Sequence, residues 1–159
     1  MKTGHAGLAY EPDKVFERDY RLTQTENSVR IEYDETVQRI STELDVSECC
    51  EGAPLHRIRK AVWDTGATSS VIAERAARRM GLKPVDMGVI ITATGQVEVP
   101  IYFLDVRLSN QLTVRNLRVM GSPMEQRDVD FLVGMDIISK GKLVIDNAGG
   151  KTTVTFTMD

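Results

Sequence analysis

Apolar and polar residues alternate in short runs along most of the chain, a period typical of half-buried β-strands. The first clear run sets Val29, Ile31 and Tyr33 on one face, with charged residues between them. Gly, Pro, Asn and Ser interrupt the runs at the intervals expected of turns. The pattern predicts further strands over residues 39–46, 56–63, 89–92, 96–101, 102–108, 112–120, 131–133, 143–146 and 152–156.

A helical period appears over residues 71–80, where apolar positions recur three or four residues apart. Ser69 or Ser70 is expected to cap the start of this helix, and Gly81 follows its end, where a left-handed residue is favoured. A second, shorter helix is predicted over residues 136–140. Many short strands with few helices indicate an all-β, closed barrel-like domain over residues 28–159. Residues 1–27 are polar and irregular, which favours a loosely held N-terminal extension.

The amino-acid composition excludes several classes of function. The chain has 159 residues, 42% apolar and 27% charged, as is ordinary for a globular domain. Its net charge of -3 gives no basic footprint for a nucleic acid or an anionic membrane. No apolar run is long enough to span a bilayer, and the N-terminus lacks the apolar core of a secretory signal. We therefore expect a cytoplasmic protein with no nucleic-acid or membrane partner.

The two cysteines, Cys49 and Cys50, are adjacent in the sequence. Neighbouring residues are poorly placed for an unstrained disulfide, so both thiols are expected to be reduced. With only His5 and His56 elsewhere, they do not form a metal-binding pattern. The sequence thus predicts no metal and no cofactor, and a redox switch is the alternative reading of the thiol pair.

The stretch with the clearest chemistry is an apolar strand that ends in Asp64, Thr65, Gly66 and Ala67. A carboxylate at the end of a core strand stands on a rigid element, which suits a catalytic group. Gly66 permits a tight turn and the close approach of another backbone. The alternative reading is a common Asp-Thr-Gly turn after a strand.

These four residues resemble the active-site signature of the retroviral-type aspartic proteases, the retropepsins. The second landmark of that family is two apolar residues and a glycine before a short helix, and residues 132–134 match it. Between the two landmarks the family has a flap hairpin, whose tip corresponds to residues 93–95. The resemblance covers about residues 55–158, and residues 131–138 are most similar to the small bacterial members.

The resemblance implies a retropepsin fold and an aspartic endopeptidase. In such enzymes two carboxylates share one proton; the ionised one activates a water and the protonated one donates to the peptide carbonyl. This chain has one Asp-Thr/Ser-Gly motif, so the second Asp64 would come from a second copy across a two-fold axis. The implied partners are therefore a homodimer and an extended peptide. Two alternatives remain: a catalytically silent peptide-binding or scaffold module, and an unrelated barrel with a chance motif.

The resemblance also implies roles for individual residues. Catalysis would involve Asp64, Thr65 and Gly66, with the Thr65 hydroxyl bonded across the two-fold axis. Substrate binding would involve Ala67, Ala93, Thr94 and Gly95, and the structural second motif would be Leu132, Val133 and Gly134.

The chain departs from the family in two respects, of which the first is that its hairpin lacks the dense glycine run of the retroviral flap. Retroviral enzymes support the active-site loop with an ion pair, but Thr68, Ser69 and Met135 occupy those positions here. The stability of the implied dimer must therefore come from elsewhere. Asp136 is expected to cap the short helix, with a substrate contact as the alternative, and Trp63 is expected to fill the core rather than stack on substrate.

Overall fold

The computed structural model describes residues 20–124 and 128–159, so residues 1–19 of the expected extension lie outside the described part. Eleven strands and two short α-helices follow one another within those ranges. The helices are α1 (Glu74–Arg79) and α2 (Met135–Ile138). The strands are β1 (Tyr20–Gln24), β2 (Ser28–Tyr33), β3 (Ser41–Glu48), β4 (His56–Trp63), β5 (Val71–Ala73), β6 (Asp86–Thr92), β7 (Gly95–Arg107), β8 (Thr113–Ser122), β9 (Phe131–Val133), β10 (Gly141–Asp146) and β11 (Thr153–Met158).

Six of these strands form a closed barrel. Their order is β3-β4-β9-β5-β8-β7, and β7 pairs with β3 to complete the circle. The pairs β4–β9 and β5–β8 are parallel, whereas the other barrel pairs are antiparallel. The predicted all-β barrel with one or two short helices is confirmed.

A second sheet, in the order β1-β2-β11-β10, packs beside the barrel. Its inner residues Val29, Ile31 and Phe156 are almost fully buried and belong to the same core as the barrel interior. The residues of β1 were placed in the N-terminal extension by the sequence, but they pair with β2 in this sheet. The Tyr20 hydroxyl also accepts a hydrogen bond from the Glu43 backbone N–H at 2.9 Å, which ties β1 to the barrel.

Trp63 lies in this shared core, as expected. Its ring meets that of Phe156 edge to face, with 5.3 Å between centroids, and its indole N–H donates to Thr42 Oγ1 at 3.0 Å. The buried Trp63 nitrogen therefore has a partner, as a large amphipathic core residue requires. Burial of a side chain such as Phe156 contributes roughly 1.5–3 kcal/mol relative to exposure. The residue before Asp64 thus anchors the end of β4 in the core.

The predicted helix over residues 71–80 is wrong at its start. Residues Val71–Ala73 form β5, which lies between β8 and β9, and only Glu74–Arg79 are helical. The N-cap is Ala73 with no side-chain hydrogen bond, so neither Ser69 nor Ser70 caps the helix. Backbone pairing with two neighbouring strands outweighs the helical spacing of the apolar residues, because β-branched Val and Ile suit a strand.

The end of α1 agrees with the prediction. Gly81 has φ +69°, and its N–H donates to Arg78 O, while the Leu82 N–H donates to Ala77 O. These two bonds form the Schellman motif, which a residue in the left-handed region makes possible.

The strands at the long hairpin also differ from the prediction. One continuous strand, β7, replaces the two strands predicted over residues 96–101 and 102–108, and β6 begins at Asp86 rather than residue 89. No turn residue separates positions 101 and 102, so the alternation continues through both. A two-residue turn at Ala93 and Thr94 joins the strands, since Thr92 pairs with Gly95. The predicted hairpin tip is confirmed.

Candidate active site

The Asp64 loop begins where β4 leaves the sheet. The Asp64 N–H donates to Val133 O at 2.9 Å, and Asp64 Oδ1 accepts the Gly66 N–H at 2.8 Å. The Ala67 N–H closes the turn on Asp64 O at 3.2 Å. Asp64 is half-buried, whereas Thr65 and Gly66 are exposed. One carboxylate oxygen is therefore held by the loop itself, at the open edge of a rigid strand.

The two sequence landmarks lie side by side. Parallel pairing of β4 with β9 sets Val62 against Leu132 and Trp63 against Val133. A Cβ at Gly134 would lie 2.7–2.9 Å from Ser69 C, Ser69 O and Ala67 O, closer than real Cβ contacts come. Only glycine fits there, so the second motif packs directly on the Asp64 loop.

Ser70 and Asp136 tie the two landmarks together. Ser70 is fully buried; its Oγ donates to Asp136 Oδ1 at 2.7 Å and accepts the Gly134 N–H at 3.0 Å. The Ser70 N–H donates to Asp136 Oδ2 at 2.8 Å. These bonds brace the loop, in which the ion pair of the retroviral enzymes has no counterpart.

The expectation for Asp136 is therefore corrected. Gly134 is the N-cap of α2, with no side-chain cap bond, and α2 covers Met135–Ile138 rather than residues 136–140. Both Asp136 oxygens bond to Ser70, and Oδ1 also accepts the Ile137 N–H at 2.9 Å, so the carboxylate contacts the first turn of α2 without occupying the N-cap position. Sequence patterning indicated Ser70 only as a helix cap, because its actual partner Asp136 lies 66 positions away.

A cavity of about 510 Å³ opens beside Asp64. This volume is within the usual range for ligand sites. Arg39 stands among the lining residues and forms an ion pair with Asp128 at 2.7 Å. The lining comes from separate segments that sequence patterning did not connect. The apolar part consists of Val37, Ile40, Val62, Trp63, Met124, Val129, Leu132 and Ile145, and the polar part of Gln38, Arg39, Asp64, Asn147 and Thr152.

Arg75 fixes the segment that carries part of this lining. Its guanidinium donates to Met124 O and Val129 O, each at 2.7 Å, and to Asp130 Oδ1 at 3.2 Å. Met124 and Val129 both line the cavity. Arg75 therefore positions one wall of the site from the first helix.

The β6–β7 hairpin presents its tip to solvent. Ala93, Thr94 and Gly95 are exposed, and the tip is held by local hydrogen bonds, such as the one that Thr92 Oγ1 donates to Gly95 O at 3.0 Å. The structure therefore keeps these three predicted residues together on the hairpin. It shows no hydrogen bond between them and the Asp64 loop among the described residues.

One face of the hairpin is apolar and uncovered. Met87, Val89 and Ile91 are 55%, 54% and 83% exposed. They pair with Pro100, Glu98 and Gln96, which lie on the same face of β7 as the buried Tyr102. Because paired residues share a face of a sheet, this apolar row continues the interior side of the barrel. The sequence pattern predicted a strand here but not its uncovered apolar face.

A closed six-stranded barrel with an Asp-Thr-Gly-Ala loop packed on a Leu-Val-Gly turn defines a retropepsin-like aspartic protease. Residues 56–140, more than half of the chain, match the family model described as "gag-polyprotein putative aspartyl protease". The chain belongs to this family, which confirms the resemblance seen in the sequence.

One solved structure supports this fold, and two viral proteases show weaker similarity. A retropepsin-like aspartic protease from Rickettsia conorii is similar with a TM-score of 0.51 and 13% identity, over 91% of this chain and 100% of that one. The Simian Foamy Virus (mac) protease is similar with a TM-score of 0.43 and 21% identity, over 63% and 92%. The EIAV protease, solved with an inhibitor, is similar with a TM-score of 0.45 and 16% identity, over 64% and 86%.

A search of curated proteins gave no match. Among the described residues, no helix is both long and apolar enough to cross a membrane.

Proposed function

We propose that the protein is an aspartic endopeptidase whose catalytic dyad is formed by Asp64 of one copy and Asp64 of a second copy. The observation that carries the proposal is the geometry of the Asp64 loop. The Gly66 N–H donates to Asp64 Oδ1 at 2.8 Å, on an exposed turn beside the cavity. The second oxygen, Asp64 Oδ2, is therefore left to face another molecule. The family supplies the chemistry, and the single motif in the chain calls for two copies.

In the proposed reaction the two carboxylates hold one proton between them, because like charges so close do not both ionise readily. The ionised carboxylate takes a proton from a water, and the resulting oxygen attacks the peptide carbonyl carbon. The protonated carboxylate donates its proton to the carbonyl oxygen. Collapse of the tetrahedral intermediate, with proton transfer to the amide nitrogen, breaks the C–N bond without a covalent enzyme intermediate.

The substrate would be an extended peptide held between the barrel and the β6–β7 hairpin. The row of Met87, Val89 and Ile91 would face the peptide side chains when the hairpin closes. Ala93, Thr94 and Gly95 at the tip, with Ala67 below, would contact its backbone, as strand addition does. We further propose a cytoplasmic location, in which the exposed thiols of Cys49 and Cys50 stay reduced.

A peptide-cleavage assay with Asp64→Asn tests the proposal. The variant keeps the size of the side chain and an oxygen for the Gly66 N–H, but it removes the acid. We expect the wild type to cleave and the variant to lose roughly 10³-fold in kcat. Asp34→Asn, at an exposed carboxylate in the turn after β2, is the matched control and should retain activity.

Two outcomes would count against the enzyme. Retained turnover in Asp64→Asn excludes the dyad. If wild type and Asp64→Asn are equally inert but both bind peptide, the chain is the silent binding module instead.

A further inference from the structure

The cavity beside Asp64 has a single positive charge among the described residues that line it, and that charge belongs to Arg39. Elsewhere in the lining, the Thr152 hydroxyl donates to Asn147 Oδ1 at 2.6 Å and accepts the Val37 N–H at 3.0 Å. Those polar groups already have partners within the protein. Arg39 is therefore the lining residue best suited to bind a charged group from outside.

Arg39 stands next to the Asp64 loop because of the way β3 pairs with β4. The antiparallel register of these strands continues past their ends, where the Trp63 N–H donates to Ile40 O at 3.0 Å. Continued by one more residue, this register sets Arg39 opposite Asp64. Residues opposite each other on paired strands share a face of the sheet and have Cβ atoms about 5 Å apart. The Arg39 side chain therefore begins beside the proposed catalytic carboxylate.

The described partner of Arg39 is an exposed carboxylate rather than Asp64. Arg39 Nη1 donates to Asp128 Oδ2 at 2.7 Å, and the two side chains are 47% and 60% exposed. An ion pair so exposed contributes little to stability, because water screens both charges and two flexible side chains must be ordered. A guanidinium carries several N–H donors, and this contact uses one of its nitrogens. A second carboxylate can therefore join Asp128, or replace it, at little cost.

We propose that Arg39 binds an acidic side chain, Asp or Glu, of the peptide substrate. The substrate carboxylate accepts two N–H groups of the guanidinium in the forked geometry that arginine favours, and Asp128 gives way. An extended peptide advances about 3.3 Å per residue, so the spacing between Arg39 and Asp64 places the acid about two residues from the cleaved bond. The inference rests on the proposed function, because that function places the peptide beside Asp64. Each copy supplies one Arg39, so the preference applies on both sides of the bond.

Paired peptides test this recognition. Glutamate is placed in turn at each position of a short uncharged parent peptide, and each product is compared with the peptide that carries glutamine at the same position. The two side chains have nearly the same shape and differ in charge. We expect kcat/KM to favour glutamate roughly tenfold about two residues from the cleaved bond, with no comparable preference at the ends of the peptide.

Substitutions in the ion pair should change this preference in opposite directions. Arg39→Gln should raise KM for the glutamate peptide to that of the glutamine peptide and leave kcat nearly unchanged, since the contact is made before the reaction begins. Arg39→Glu should reverse the preference, so that lysine at the same position is favoured over glutamate. Asp128→Asn removes the competing carboxylate, so KM for the glutamate peptide should fall below that of the wild type.

Arg21→Gln is the matched control. Arg21 is an exposed arginine that donates to an exposed carboxylate, Asp34, at 3.0 Å, and it lies outside the cavity lining. This variant should keep the wild-type preference for glutamate.

Three results would overturn the role of Arg39. The first is equal cleavage of glutamate and glutamine peptides at every position. The second is a preference for glutamate that survives in Arg39→Gln. The third is an equal fall in kcat for both peptides in Arg39→Gln, because Arg39 would then support the Asp64 loop instead of binding substrate.

Binding measurements distinguish this failure from failure of the proposed function. Cleavage that requires Asp64 but shows no preference for glutamate keeps the function and overturns the role of Arg39. If the wild type cleaves none of the peptides, fluorescence anisotropy with labelled copies of the same set decides. Tighter binding of a glutamate peptide that is lost in Arg39→Gln keeps the role of Arg39 and overturns the enzyme, and equal binding of all peptides overturns both.

Discussion

The buried hydroxyl of Ser70 donates to Asp136 Oδ1 at 2.7 Å and accepts the Gly134 N–H at 3.0 Å. One side chain thereby joins the Asp64 loop, the second landmark and the start of α2. In the retroviral enzymes this support comes from an ion pair, whereas here a neutral hydroxyl and a carboxylate provide it.

Ser70→Ala should destabilise the fold. The change leaves the Gly134 N–H without its partner in a buried position, and an unsatisfied buried group costs about 1–3 kcal/mol. Urea denaturation should show a loss of that size, and peptide cleavage should fall because the Asp64 loop is no longer braced. Thr68→Ala, at an exposed hydroxyl two residues earlier, is the control and should change little. Equal stability of the two variants would contradict the role of Ser70.

Gly134→Ala should be more harmful than its one added carbon suggests. The new Cβ would lie 2.7–2.9 Å from backbone atoms of Ser69 and Ala67, which cannot move as a flexible side chain could. We expect a loss of roughly 2 kcal/mol or more, as overpacking in a tight site gives, with a lower melting temperature by calorimetry. If Gly134→Ala has the same melting temperature as the wild type, the Asp64 loop can move to accommodate the added carbon.

Arg75→Lys should loosen the cavity wall. Lysine cannot reproduce the forked donation to Met124 O, Val129 O and Asp130 Oδ1, so a loss of roughly 1–2 kcal/mol in stability is expected. If the wall also shapes the substrate site, KM should rise more than kcat falls. Arg79→Lys, at an exposed position on the same helix, serves as the control. If Arg75→Lys and Arg79→Lys have identical KM values, the cavity wall does not contribute to substrate binding.

The pH–rate profile should lie in the weakly acidic to neutral range. Ala67 offers no hydroxyl to the carboxylate, whereas a hydroxyl there could donate to its ionised form and favour it. Ala67→Ser should therefore move the acidic limb of the profile to lower pH, measured by cleavage at constant ionic strength. Activity confined below about pH 3, under the reference value of a free Asp, would refute this expectation.

Stability should fall in mild acid partly through His56. Burial lowers the pKa of His56 from its ordinary value of 6.5, and the nearby Glu48 carboxylate offsets part of the shift. The folded state then binds the proton less readily than the unfolded state, so this contribution to stability is complete above the unfolded pKa and declines as the pH falls below it. His56→Gln should flatten the dependence of unfolding free energy on pH between about 7 and 5. If the unfolding free energies of wild type and His56→Gln depend on pH in the same way, His56 does not cause the loss of stability in acid.

Features that depend on residues close together in the sequence could be predicted from the sequence. Alternation of apolar residues predicted most strands, and the turn at Gly81 followed from its place after a helix. The Asp-Thr-Gly-Ala motif located the Asp64 loop, because its conformation is set within four residues. Residues 71–73 show the limit of such patterns: their spacing fits a helix, but they form a strand because two other strands lie on either side.

By itself, the sequence determined the all-β class, the Asp64 loop and the family. Only the tertiary structure decided that Ser70 bonds to Asp136, that Arg75 holds the cavity wall and that β10 ends the four-stranded sheet formed by the described residues. Periodicity and turn chemistry act over a few residues and can be read directly. Contacts between distant segments depend on which strands pair and in what register, and that choice is made by the packing of the whole core.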